Sequence, residues 1–196
     1  MRKEYDIILS AEEAFARSVA LGVLVKRPLT AWHYLIPGMF IIDFLRRSSE
    51  IRRYSENFLF PRKLALDAAQ NICNGEDRKK AVSRVSEAIK EWLDSLKLCS
   101  GDLHGRQIEV VELLIDHYCE LLRVEGDSYH SVVKNAYSNR ENYEAYLCRV
   151  AWVEKEVDRA IAENLGETEV LRERLLAEQQ QVEKLRNKDV DIIFLE

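Results

Sequence analysis

Apolar residues recur at helical spacing along most of this chain. Between residues 10 and 166 they fall largely at i, i+3, i+4 and i+7, the spacing that places side chains on one face of a helix. The clearest run has apolar residues at Val82, Val85, Ile89, Trp92, Leu93 and Leu96. Glycine and proline, which punctuate turns, number only 7 and 3 in 196 residues. The sequence therefore predicts an all-α protein.

Capping residues and helix breakers divide this pattern into about six or seven helices. Ser10 begins a capping box for the first helix, which is expected to end before Pro28. The second helix is predicted over residues 38–57, and Pro61 is predicted to open a separate helix. We expect these helices to form one irregular bundle that occupies residues 1–166.

The C-terminal residues have fewer apolar positions than the rest of the chain. A helix is predicted over residues 168–187, but Glu178 interrupts its apolar seam, and the seam is too short for a coiled coil. Residues 167–196 are therefore predicted as a helical arm with an extended tail. The tripeptide Asp-Ile-Ile occurs at 6–8 and again at 191–193. It has two interpretations, a chance recurrence or two short extended termini that pair as strands.

Residues 28–45 are the most apolar stretch, and Asp43 is their only formal charge. Residues 26–63 contain eight basic and three acidic residues, in a chain whose net charge is −5. The stretch is interpreted as core, as a segment in a membrane interface, or as a patch that recruits a protein partner. In the last two cases the predicted contact residues are Trp32, Tyr34, Met39, Phe40, Phe44, Arg46, Arg47, Arg52 and Arg53. The break at Pro28 makes a simple membrane-spanning helix improbable.

One predicted helix carries four carboxylates and a histidine, the residue types of a metal site in a helical bundle: Glu109, Glu112, Asp116, His117 and Glu120. Helical phase places the carboxylates opposite the apolar stripe and His117 at its border. The carboxylates are therefore predicted to form a solvated face. His104, His117 and His130 are interpreted as three unrelated histidines, so no metal ligand is assigned.

No motif for catalysis or cofactor binding occurs in the sequence. The glycines are isolated and mostly near predicted helix ends, which excludes a phosphate-binding loop, and no nucleophile elbow is found. Paired arginines such as Arg46 and Arg47 are compatible with phosphate contacts, but the acidic net charge argues against a nucleic-acid-binding protein. We assign no catalytic residue and no cofactor.

These observations favour a non-enzymatic intracellular adaptor or assembly protein that binds a protein partner or self-associates. The alternative is a peripheral membrane protein that uses residues 28–45 at an anionic surface, and the third hypothesis is a metal-binding helical-bundle enzyme. The lack of a catalytic motif argues against an enzyme, and only the third hypothesis retains one. The four cysteines form no CxxC pair, which is typical of a reducing compartment. We expect a cytoplasmic protein, or a peripheral one at the inner face of the membrane.

Overall fold

The computed structural model describes residues 2–24, 39–98 and 100–195, without the side chains of Arg2 and residues 39–47. These residues form seven α-helices and no strand: α1 (Arg2–Leu24), α2 (Met39–Cys73), α3 (Arg78–Ser95), α4 (Gly101–Leu122), α5 (Tyr129–Tyr137), α6 (Arg140–Leu165) and α7 (Glu169–Leu195). The predicted all-α fold is confirmed. The boundaries of α3 to α6 follow from capping, because Asp77, Ser100, Ser128 and Asn139 each accept a backbone N–H of the first turn.

Three boundary predictions are wrong. Helix α1 begins at Arg2 and runs through Ser10, which was predicted to cap its start. Helix α2 continues through Pro61, whereas the sequence predicted a new helix there. Proline lacks an N–H and costs a helix interior roughly 3 kcal/mol, but Pro61, Arg62, Ala65 and Leu66 are buried, and their packing outweighs that cost. The termini are also helical rather than extended. Ile8 and Ile193, which end the two Asp-Ile-Ile segments, are buried core residues on α1 and α7.

Five long helices form a closed ring in which each packs on the next, in the order α1, α2, α4, α6, α7 and back to α1. Helices α1 and α2 are antiparallel, since Tyr5 donates to Asp67 while Phe15 contacts Phe58. Helix α3 packs against α2 and α4, and the short α5 contacts α1, α4, α6 and α7. The core lies inside this ring, with fully buried residues such as Leu66, Leu114, Ile115 and Tyr118.

Helix α7, which includes most of the predicted arm, has an exposed first part and a buried second part. Val170 is 72% exposed, whereas Val182, Val190 and Ile193 are buried against the other helices. Gln181 donates a hydrogen bond of 3.3 Å to the Ser18 carbonyl of α1. The second part of α7 is therefore the element that closes the ring.

Candidate functional site

Four charged side chains from four helices form a hydrogen-bonded network inside the bundle. Arg62 of α2 donates to Glu12 of α1 at 3.2 Å and to Glu154 of α6 at 2.9 Å. Arg186 of α7 donates to both oxygens of Glu154, at 2.7 and 2.8 Å. We call these four residues the charge network. Its two arginines and two glutamates balance in charge, which is the condition under which buried ions are tolerated.

The surroundings of the network hold Glu154 in its ionised form. Burial alone would raise the pKa of the Glu154 carboxyl, but Arg186 and Arg62 hold it below its ordinary value. The Tyr118 hydroxyl donates to Glu12 at 2.7 Å. The rings of Phe15 and Phe58 lie 5.5 and 4.9 Å from the Arg62 guanidinium carbon, within the range of a cation–π contact.

The sequence contains a signal for this network that was missed. Glu12 and Arg186 each lie within the apolar stripe of their helix, where side chains face the protein core and not the solvent. The buried residues four positions before and after are Ile8 and Ala16 for Glu12, and Val182 and Val190 for Arg186. A charge flanked in this way must find a partner within the protein, and each of these two finds one from another helix.

Beside the network lies a cavity of about 1410 Å³, which we call the central cavity. It is lined by α1, α2, α3, α4, α6 and α7, and it reaches the surface, since several of its lining residues are exposed. Its apolar wall includes Trp92, Leu98, Val110, Leu114, Leu147 and Ile161. Its polar wall includes Tyr54, Arg62, Glu154, Asp158, Glu178 and Arg186. The central cavity is thus amphipathic.

Two carboxylates of the polar wall lie outside the charge network. Asp158 accepts a hydrogen bond of 2.6 Å from Gln179 Nε2, and Glu178 accepts one from the Tyr54 hydroxyl. Burial, together with the neighbouring carboxylates of Glu178 and Glu154, raises the pKa of Asp158 to about 7. Burial also raises the pKa of Glu178. Within the described part of the chain neither carboxylate forms an ion pair.

Gln107 places an amide in the wall of the cavity. It lies on α4, is only 9% exposed, and has the apolar residues Val110 and Leu114 beside it in the cavity wall. No described side chain or backbone group forms a hydrogen bond with its amide. Solvent that enters the cavity reaches the amide, because its atoms are not among the fully buried side-chain atoms that lack a partner.

The mouth of the central cavity carries exposed apolar side chains. Leu96, the C-cap of α3, is 38% exposed, Trp152 of α6 is 61% exposed and Leu176 of α7 is 51% exposed, and all three line the cavity. We call these three residues the apolar rim. Large apolar side chains at the edge of a concave surface are typical of sites that bind a partner.

The structure tests few of the contact residues predicted from the sequence. Trp32 and Tyr34 lie outside the described residues. Five others lie on α2 without described side chains: Met39, Phe40, Phe44, Arg46 and Arg47. Arg52 is exposed and pairs with Glu56 one turn away at 2.8 Å, whereas Arg53 is exposed and lines the central cavity. A contact role for these residues stays a prediction.

The carboxylates of α4 lie on an exposed face, as predicted from their phase.

His117, which was expected at the border of that face, is buried instead. It shares a hydrogen bond of 2.7 Å with Tyr137 and stacks on Tyr146 at 4.3 Å, so we call His117, Tyr137, Tyr143 and Tyr146 the aromatic cluster. Burial, with smaller effects of Arg62 and Arg186, lowers the pKa of His117 to about 3. The described residues contain no group of three or more metal-binding side chains.

Comparison with known proteins identifies no relative. No protein-family model matches the chain, and no curated protein or solved structure is significantly similar to it. Among the helices of the described segments, none has the length and apolarity needed to cross a membrane. Any function must therefore be argued from the central cavity and its walls.

Proposed function

We propose that this protein is a non-enzymatic adaptor or assembly protein whose central cavity receives an apolar helical segment of a protein partner. The observation that carries the proposal is the size of the cavity together with its apolar rim. Small-molecule pockets usually have volumes of about 300–1000 Å³, and the central cavity, at about 1410 Å³, exceeds that range. An amphipathic helix in a groove is a common way to fill a space of this size.

The two walls match the two faces of such a segment. Trp92, Leu114 and Leu147 offer an apolar surface, and the charges of the polar wall are already organised by hydrogen bonds. The exposed Trp152 and Leu176 would be covered by the bound segment, and large aromatic residues frequently anchor such interfaces.

The test is site-specific photo-cross-linking in native cell extract. Leu176→p-benzoylphenylalanine places the reactive ketone at the apolar rim, and Val170→p-benzoylphenylalanine places it on the same helix outside the cavity lining. Both native side chains are exposed, which makes the two positions a matched pair. We expect a discrete adduct at position 176 that is absent at position 170.

A cavity-filling substitution ties the adduct to the cavity. Ala151 lines the cavity on α6 and is half-buried, so Ala151→Trp fills space without removing a core contact. This substitution should abolish the adduct at position 176 while leaving the unfolding temperature unchanged. Equal adducts at 176 and 170, or an adduct that Ala151→Trp leaves intact, would refute the proposed function.

A further inference from the structure

Two cysteines lie where α2 packs against α4. Cys73 is the last residue of α2, and Cys119 is a buried residue of α4. The Cys119 thiol donates a hydrogen bond to the Ala69 carbonyl of α2, with a distance of 3.9 Å between sulfur and oxygen. Ala69 is fully buried and has a short side chain, which allows this close approach. The sulfur of α4 therefore reaches the backbone of α2.

The turn of α2 that Cys119 contacts is the turn that carries Cys73. In an α-helix the N–H of residue i bonds with the carbonyl of residue i−4, so the Ala69 carbonyl is also the acceptor for Cys73. Residues four apart lie on the same face of a helix. Burial raises the pKa of the Cys119 thiol to about 12, and the charge of the Cys73 thiol and a hydrogen bond with it contribute. The two thiols are thus direct neighbours.

The two thiols differ in their access to solvent. Cys73 is half-buried, whereas Cys119 is buried. A dissolved oxidant therefore reaches Cys73 first, and Cys119 lies beside the product that forms there. Redox-sensitive sites commonly combine an accessible thiol with a second thiol that resolves the first product.

We propose that Cys73 and Cys119 form a reversible disulfide, which makes the contact between α2 and α4 a redox-sensitive cross-link. In a reducing compartment both residues remain thiols, as they are in this structure. The bond closes a loop of the chain that contains α3 and thereby restricts the unfolded state. The cross-link is independent of the proposed function, since neither cysteine lines the central cavity.

The oxidant is a small-molecule disulfide, here glutathione disulfide, and the reaction has two steps. The Cys73 thiolate attacks one sulfur of glutathione disulfide, whose S–S bond breaks, and one glutathione leaves as a thiolate that takes up a proton. Cys119 then loses its proton and attacks the Cys73 sulfur, which releases the second glutathione. The protein gives up two electrons and two protons, and one glutathione disulfide becomes two glutathione molecules. Cys73 carries no charge in the mixed disulfide, so one cause of the raised pKa of Cys119 is absent in the second step.

The test is a redox titration of the full chain in glutathione buffers, in the folded state and again in concentrated urea. Free thiols are alkylated after an acid quench, and disulfides are mapped by mass spectrometry. We expect a linked peptide pair that contains Cys73 and Cys119. The effective concentration of one thiol for the other should be at least about tenfold higher in the folded protein than in urea, because the helices hold the thiols side by side. Thiols that stay unlinked in the folded protein, or an effective concentration that folding does not raise, would overturn the proposal.

Matched variants separate the two steps. Cys119→Ala removes the resolving thiol and should trap Cys73 as its mixed disulfide with glutathione. Cys73→Ser should leave Cys119 unmodified, whereas Cys148→Ser, at an exposed cysteine, should leave the cross-link intact. Circular dichroism checks that each variant is folded, and the linked peptide of the parent decides the case where Cys119→Ala does not fold. Glutathione retained on Cys73 in the parent, or a disulfide from Cys73 or Cys119 to another cysteine, would refute the pairing.

Discussion

The aromatic cluster and the central cavity share helix α4 but treat buried polar groups in opposite ways. His117 and Gln107 lie on that helix and are both buried. The His117 ring finds a hydrogen bond in Tyr137 and stacking partners around it, whereas the Gln107 amide faces open space without a described partner. Both regions displace pKa values strongly, to about 3 for His117 and to about 7 for Asp158.

The difference shows which features indicate function in this molecule. A displaced pKa follows from burial alone and also arises in purely structural clusters, so it does not single out a site. The volume that the described residues leave open distinguishes the cavity from the aromatic cluster, because the side chains of a protein core normally fill the space between them. The aromatic cluster is accordingly interpreted as structural and the cavity as functional.

The largest expected effect comes from breaking the charge network that borders both regions. Arg62→Met should lower the free energy of unfolding by roughly 3–5 kcal/mol, because Glu12 would lose its buried counter-charge and Glu154 one of two. Urea denaturation at neutral pH measures the loss. Arg52→Met, on the exposed face of the same helix, is the control and should change stability by less than about 0.5 kcal/mol. A loss below about 1 kcal/mol for Arg62→Met would mean that the network contributes little to stability.

The aromatic cluster should make the protein sensitive to acid. His117 stays neutral in the folded state down to about pH 3, whereas in the unfolded chain its imidazole takes up a proton near the ordinary histidine pKa of 6.5. Stability contributed by neutral His117 is thus present above pH 6.5 and is lost as pH falls, at up to about 1.4 kcal/mol per pH unit. His117→Gln should flatten this dependence in urea denaturation between pH 7 and 5. The exposed His130→Gln should not, and parallel profiles for all three proteins would contradict the assignment.

Asp158 in the central cavity should give stability the opposite dependence on pH, namely a decline as pH rises. Asp158 keeps its proton in the folded state up to about pH 7 but releases it near pH 3.8 when unfolded. The folded state therefore binds more protons in this window, and its stability declines as pH rises from about 4 to about 7. Asp158→Asn should remove the decline and be more stable than the parent at pH 8, by about 1–2 kcal/mol. Glu183→Gln serves as the control, and a stability difference that does not vary with pH would refute this account.

The smallest expected change in the free energy of unfolding comes from Gln107→Met, which tests the contrast between Gln107 and His117. Gln107→Met replaces the unpartnered amide by an apolar side chain of similar length, and it should raise the free energy of unfolding by about 1 kcal/mol. Gln180 also lines the cavity but is exposed, so Gln180→Met should have no measurable effect. If Gln107→Met lowers stability, the amide makes a stabilising contact in the folded protein, and the contrast with His117 fails.

The helical class of the protein could be predicted because it depends on local pattern. Apolar spacing and the capping residues Asp77, Ser100, Ser128 and Asn139 act within one turn of the chain, and each is visible in the sequence. The continuity of α2 through Pro61 could not be predicted in the same way. It depends on burial of neighbouring residues by other helices, which overrides the local preference of proline.

The site was harder to predict because it depends on which helices meet. Glu178 was recognised as a break in the seam of the last helix, but only the fold shows that it accepts a hydrogen bond from Tyr54 and lines the same cavity as Asp158. Helical phase alone placed His117 at the border between the apolar and acidic faces of α4. The residues that bury it come from α5 and α6. A cavity has no signature in the sequence, since it is the space that converging side chains leave unfilled.

Closure of the ring by α7 has a consequence for the order of folding. Gln181 reaches Ser18 across 163 positions of sequence, and Arg186 completes the ion pairs of Glu154. Contacts this distant in sequence form late, after shorter loops have closed. Before α7 docks, Arg62 is the one described residue of α1 to α6 that can pair with Glu154 as it does in the final structure. Docking of α7 closes the helical ring. The cavity, which includes Glu178 of α7 in its lining, is therefore among the last features to form.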